Sequence, residues 1–269
     1  MYSIHLLSFV FLLFILQTSA TSYVAYPVSD QLPLIARVGQ PYSWSISTET
    51  FATTEAISAS PLPSWLSFSN YTFSGTPGLG DEGSVNVTLQ AGNAYDSFAL
   101  CVTHFPPPTI RIPISNQFNS SNPSLSSVFL VGENSALKSS NPALRVPLKW
   151  SFSVGFQPDT FVNDNDLFYY AQLANGSRLP EWLRFDNRTV TFDGVARTPP
   201  LTEGDKVELV LIASDQEGYS AVRAPLDLFI QSHDLSVSKG LALNLTAGED
   251  FQINLGEENW FFNDIMVDQ

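Results

Sequence analysis

Two stretches of the chain alternate apolar and polar residues with a period of two. In "VNVTLQA" Val85, Val87, Leu89 and Ala91 fall on one side, and in "KVELVLIA" Val207, Leu209, Leu211 and Ala213 do the same. Such alternation is the pattern of antiparallel strands with one face in a core. The second stretch also carries Val210 and Ile212 on its opposite side, which predicts a strand covered on both faces. A third pattern lies in "LPSWLSF", residues 62–68. There Leu66 and Phe68 share a side, "SN" makes a turn and Phe73 returns to that side, so a hairpin is predicted with Asn70 at its tip. Pro63 stands at the strand entrance, where a missing N–H costs little. Trp65 falls on the other parity and is expected to close an end of the fold. Short apolar runs broken by 18 Pro and 15 Gly argue against long helices.

The hairpin phrase returns at 179–185 as "LPEWLRF", with Pro180, Trp182 and a tip at Asn187. It sits in a longer parallel. "YPVSDQ" at 26–31 matches "IPISNQ" at 112–117, "YSWSIS" at 42–47 matches "LKWSFS" at 148–153, and "TFSG" at 72–75 matches "TFDG" at 191–194. Last, "DEGSVNVTLQA" matches "TEGDKVELVLIA" on Glu-Gly. The offset between copies grows along the chain from 86 to 117 and beyond, so the second copy carries insertions between matched blocks, as loops on a common scaffold do. The largest is the Ser/Asn-rich insertion 118–142, read either as a solvated loop or as a partner-binding loop. A third copy begins near Leu241, where "AGEDFQINLGEENWF" resembles "VGQPYSWSISTETF". The division expected is a signal peptide at 1–20, a first repeat at 21–107, a second at 108–232 and the start of a truncated third at 233–269. The fold class is all-β: tandem sandwiches, two complete and a third cut short.

Composition then narrows the setting. Residues 1–20 hold no Asp, Glu, Lys or Arg, and an apolar run from Ile4 to Leu16 leads to small residues ending at Ala20. That reads as a secretory signal, with an uncleaved anchor as the alternative. No later stretch approaches the length of a bilayer span, so a membrane is expected to be reached only through an anchor absent from this chain. Six N-x-S/T sites, at Asn70, Asn86, Asn119, Asn175, Asn187 and Asn244, suit the secretory pathway and an extracellular or cell-surface location. Cys101 is the single cysteine, which excludes intrachain disulfide frameworks. A net charge of −14 argues against nucleic acid and anionic lipid as partners.

The blocks of the second copy carry a family resemblance: Asn163 to Asp166, then "LFYYA" at 167–171, then Leu179 to Phe185, Phe192-Asp193-Gly194 and "IASD" at 212–215. In this order they resemble the dystroglycan-type cadherin-like repeat, an immunoglobulin-like β-sandwich. The tandem arrangement behind a signal peptide is similar to the ectodomain start of the fungal axial-budding-pattern plasma-membrane glycoproteins. The resemblance implies non-enzymatic recognition or adhesion at a cell surface, with a cortical landmark role in budding or polarity. Its partner would be a cell-surface or cell-wall protein or glycan.

Calcium is the candidate ion. It takes six to eight oxygen ligands, and cadherin-like modules imply that Asp159, Asn163, Asp164 and Asp166 meet Asp215 and Glu217. The same residues also make ordinary turns. The first copy lacks the set. No zinc, nucleophile or phosphate-loop motif is present, and His104 and His233 stand at domain boundaries, so no enzyme is expected. The paired tryptophans Trp44 with Trp150, and Trp65 with Trp182, read as core packing. Their alternative use, stacking on sugars, would make the chain a carbohydrate-binding accessory ectodomain of a secreted polysaccharide-active protein.

Overall fold

A computed structural model of the chain describes residues 22–232, apart from 120, 123–124, 132–136 and 165, together with the backbone of three short strands at 235–237, 260–262 and 265–267. The signal segment and Asn244 lie outside the described residues. The strands Leu235–Val237, Trp260–Phe262 and Ile265–Val267 pair with each other as a separate antiparallel sheet.

Each of the two main repeats is a sandwich of a four-stranded and a three-stranded sheet. In the first, Ala36–Arg37 runs parallel to Ala94–Thr103, followed by Gly83–Ala91 and Ile57–Ser60. Its partner sheet is Tyr42–Ser45, Thr72–Gly75 and Leu66–Ser69. The second repeat reproduces both sheets. Ala143–Val146, Val222–Ile230, Lys206–Ser214 and Phe168–Leu173 form one, and Ser151–Gly155, Thr191–Val195 and Leu183–Asp186 the other. The period-two residues enter the cores as expected. Val87, Leu89 and Ala91 meet Trp44 and Phe73, while Leu209, Leu211 and Ala213 meet Phe152 and Phe192.

The repeated phrase is a turn feeding a hairpin. Leu66 N–H donates to the Pro63 carbonyl at 3.0 Å, and Leu183 N–H to the Pro180 carbonyl at 2.9 Å. Phe68 faces Phe73 and Phe185 faces Phe192, with ring centroids 4.5 and 5.0 Å apart. At the first tip Asn70 and Tyr71 both have positive φ, 47° and 62°. That is the two-residue turn whose twist matches the flanking strands. Leu66 lies opposite Gly75 and Leu183 opposite Gly194. A Cβ on Gly75 would stand 1.9 Å from the Trp65 carbonyl oxygen, and one on Gly194 2.9 Å from that of Trp182. The glycine of the "TFSG" and "TFDG" blocks is therefore where the tryptophan backbone crosses the sheet. The Trp65 ring meets Tyr42 edge-on and the Trp182 ring lies against Phe152, so both tryptophans cap the core at that crossing.

Register corrects one sequence match. Tyr42 pairs with Gly75 and Phe152 with Gly194, so "YSWS" corresponds to "FSVG" and Trp44 to Val154. Trp150 precedes its strand and is 45% exposed, whereas Trp44 is buried. The shared Trp-Ser letters sit four residues out of register. The anchor that decides register is the glycine opposite.

The "SDQ" and "SNQ" blocks have a structural reason. The buried Gln31 side chain donates to the Tyr26 carbonyl and Thr50 Oγ1 and accepts from Ser47 N–H. Gln117 donates to the Ile112 carbonyl and Thr160 Oγ1 and accepts from Gln157 N–H. Each amide thus ties the entry segment of its repeat to the loop after the first core strand. Gln117→Ala would remove the buried bond to Thr160 Oγ1 and leave the part-buried Gln157 N–H and Ile112 carbonyl without this partner, at a cost of about 1–3 kcal/mol, read as a lower urea midpoint with unchanged slope.

The insertion is not wholly a solvated loop. Leu125, Phe129 and Leu130 are buried in the second core, Leu130 bridges to Leu144, and Asn122 Nδ2 donates to the Gln117 carbonyl at 2.8 Å. Apolar residues spaced among serines are enough to fasten the segment to the sandwich.

Candidate inter-repeat site

The strand Lys206–Ser214 is buried on both faces, as its composition predicts. Leu209, Leu211 and Ala213 point into the core of their own repeat, and Val210 and Ile212 are buried on the outer face. Gln172 lies beside Val210 on that face, and Tyr170 and Arg223 flank Ile212. The first repeat covers this region.

Three groups of contacts hold the repeats together. At one end the Arg37 guanidinium grips Asp215 with both nitrogens, at 3.0 and 2.6 Å, and also donates to the Phe105 carbonyl at 2.9 Å. Both side chains are almost fully buried, 8% and 6% exposed. Beside it Ser220 makes a parallel bridge with Leu34. Ile35 N–H donates to the Ser220 carbonyl at 2.9 Å and Ser220 N–H to the Pro33 carbonyl at 3.0 Å. Tyr219 Oη donates to the Ala99 carbonyl at 3.1 Å. On the other side Arg178 bonds Asp30 at 2.6 Å and lies over the Tyr26 ring, while Ser177 Oγ donates to Glu49 at 3.1 Å. Backbone bonds between repeats fix their relative position more tightly than a flexible linker does.

Cys101 sits at this junction. Burial pushes its thiol pKa up, with Arg37 acting the other way and Asp215 adding to the rise. His104 leads into the linker, hydrogen-bonded to Glu82 and with its ring tilted against that of Phe105, centroids 4.3 Å apart. That bond holds the Glu82 carboxyl below its usual range.

The expected calcium donors are not brought together. Asp215 has both carboxylate oxygens on Arg37. Asp159 pairs with Arg111 at 3.4 Å. Asp164, Asp166 and Glu217 are exposed and Asn163 half-buried. Among the described residues no three His, Cys, Asp or Glu side chains are grouped to hold a metal. This donor set does not fit a calcium shell, and millimolar calcium or EDTA is expected to move the melting temperature by less than about 1 °C. Of the glycosylation sites, Asn70, Asn86, Asn175 and Asn187 are exposed. Asn119 is half-buried, its amide bonded to the Asn116 carbonyl. The residues that sequence reasoning passed over are Arg37, Gln172 and Arg223. Only the apolar outer face of the Lys206–Ser214 strand hinted that something would pack there.

The family profile described as "Putative Ig domain" matches residues 22–103 and 134–228, one match on each sandwich. The chain belongs to this Ig-domain family. The chain is 32% identical over 250 residues to "Axial budding pattern protein 2" of Saccharomyces cerevisiae, an alignment covering 84% of this chain and 29% of that protein. The chain thus spans under a third of the curated relative it matches. Among solved structures, extracellular domains 3–5 of Drosophila OTK are 10% identical with a TM-score of 0.28, covering 74% of this chain and 59% of that one. An endo-fucoidan hydrolase of glycoside hydrolase family 107 is 18% identical with a TM-score of 0.25, covering 74% of this chain and 28% of that one. Likeness at that level is remote, and the Ig assignment rests on the strand topology and the family match. Among the described residues no helix is long and apolar enough to cross a membrane.

Proposed function

We propose that this Ig pair is the recognition part of a secreted or cell-surface protein, without catalytic activity, that presents two modules as one rigid unit. The observation that carries this reading is the buried Arg37–Asp215 clasp with its flanking backbone bridge, because a fixed pair offers a continuous surface spanning both repeats. Exposed sequons at two hairpin tips and at 175 suit an extracellular setting. The likeness to Axial budding pattern protein 2 supports a landmark role at the cell cortex during budding or polarity. The ordered LPxWLxF and F-x-G blocks support the finer likeness to dystroglycan-type cadherin-like repeats. The partner would be a cell-surface or cell-wall protein or glycan.

The test is display and binding. Tagged chain with its native amino terminus is expected to be labelled on intact cells by a membrane-impermeant biotin reagent and to shift in size with endoglycosidase. Purified Ig pair is expected to bind intact fungal cells saturably. An unglycosylated, wholly intracellular product that binds no cells would overturn the reading.

A further inference from the structure

Between the repeats lies a cavity of about 330 Å³. One wall is the edge strand Tyr42–Ser45 of the first repeat, with Ser43 and Ser45. The other is the outer face of the second repeat's four-stranded sheet, with Gln172, Val210 and Arg223, and Asn175 also lines the space. The volume is near the lower end for small-molecule sites, enough for one or two rings and too small for a folded segment.

Two groups in this cavity lack what burial demands. Gln172 is 3% exposed, and its amide oxygen is buried with no hydrogen-bond donor. Buried acceptors are almost always satisfied. Arg223 beside it is half-buried. Burial lowers its pKa from the guanidinium's usual value, and no neighbouring carboxylate counters that shift. In a chain of net charge −14, a half-buried cation with no ion pair to a carboxylate is out of pattern. Gln172 sits opposite Val210 and Arg223 opposite Ile212, two residues further along the same strand and on the same face, so both side chains line one space.

The lining selects the ligand. An anion is needed for Arg223 and a hydrogen-bond donor for Gln172 Oε1. Sulfate supplies only the first, and inorganic phosphate, although it keeps a P–OH donor near neutral pH, lacks the ring and further hydroxyls to match the other polar groups that line the cavity. An amino acid would bring an ammonium group, yet no Asp or Glu lines the cavity to receive it. A sugar acid supplies both, and its remaining hydroxyls suit Ser43, Asn175 and the free backbone edge of Tyr42–Ser45. We propose that the inter-repeat cavity binds a carboxylated sugar of the uronic-acid type, with its carboxylate on Arg223 and a ring hydroxyl donating to Gln172. The site exists only while the repeats are docked. The proposal deepens the recognition reading by naming a ligand class, and rests on that reading only for where the ligand would be met.

The experiment is an NMR and calorimetric titration of the intact chain with glucuronic and galacturonic acids, using glucose and inorganic phosphate as controls. Saturable binding of a uronic acid at least about tenfold tighter than glucose or phosphate is expected. Arg223→Met should weaken it about tenfold or more, and Gln172→Leu severalfold without lowering the melting temperature, since it removes an orphaned acceptor. Should Arg223→Met not fold, the Gln172→Leu result decides. No binding at about 20 mM, equal binding of glucose, equally tight phosphate, or unchanged affinity in both variants would each overturn the proposal. Failure here with cell-surface labelling intact removes the sugar site alone, while loss of surface display removes the recognition reading and leaves this titration standing.

Discussion

Gly75→Ala is expected to destabilise the first repeat by about 3 kcal/mol, toward the upper end for adding a methyl group to packed structure. The new Cβ would overlap the Trp65 carbonyl oxygen at 1.9 Å, and that oxygen belongs to backbone fixed by the turn from Pro63 to Leu66. A flexible side chain could swing aside, but this carbonyl can move only if the turn and the hairpin behind it move too. Gly194→Ala meets the Trp182 carbonyl at 2.9 Å, so a smaller loss of about 1–2 kcal/mol is expected. Gly80→Ala, with nothing within 4 Å, is the control and should stay within about 0.5 kcal/mol. Urea unfolding followed by tryptophan fluorescence orders the three variants. Equal losses at Gly75 and Gly80 would show that the crossing is not under steric constraint.

Arg37→Ala should produce the other large effect, a loss of about 3–5 kcal/mol in the stability of the docked pair. It leaves the Asp215 carboxylate buried without its counter-charge. The Phe105 carbonyl loses its donor as well. Replacing both members, Arg37→Leu with Asp215→Leu, should recover much of the loss, because no unpaired charge remains. Cys101 supplies a second readout. Its thiol is half-buried beside the clasp, and opening the junction in Arg37→Ala should raise its reaction rate with a thiol reagent about tenfold. A single substitution costing under about 1 kcal/mol, with no recovery in the double variant and no change at Cys101, would mean that the backbone bridge at Ser220 holds the repeats without the ion pair.

Particular residues show where sequence reasoning reached and where it stopped. Val87 and Leu209 could be placed in cores because the strand period of two converts spacing along the chain directly into facing. The hairpin of Leu66, Phe68 and Phe73 was legible because its register depends on a turn a few residues long. The equivalence of Trp44 with Trp150 failed because shared letters do not report register, and the glycine that sets it lies about 30–40 residues further on. The insertion read as loop by its serines, although Leu125, Phe129 and Leu130 were enough to bury it. The candidate calcium set shows a different limit, since spacing along the chain does not say which partner a carboxylate meets. Asp215 has the right chemistry for an ion but found a guanidinium first, on a residue 178 positions away.

From its sequence alone the chain determined its module: strand spacing, the Leu-Pro-Trp-Leu-Phe hairpin with its recurring glycine block, and the repetition of these blocks along the chain. Those features depend on contacts within one repeat, where pattern and turn chemistry are sufficient. The tertiary structure decided how the copies meet. Val210 and Ile212 announced that some surface would cover them, without saying which. Only the docked repeats show that surface to be the first repeat, pair Arg37 with Asp215, and leave Gln172 and Arg223 facing a shared cavity. Those relations depend on packing two separately folded faces together, and no local periodicity encodes the outcome.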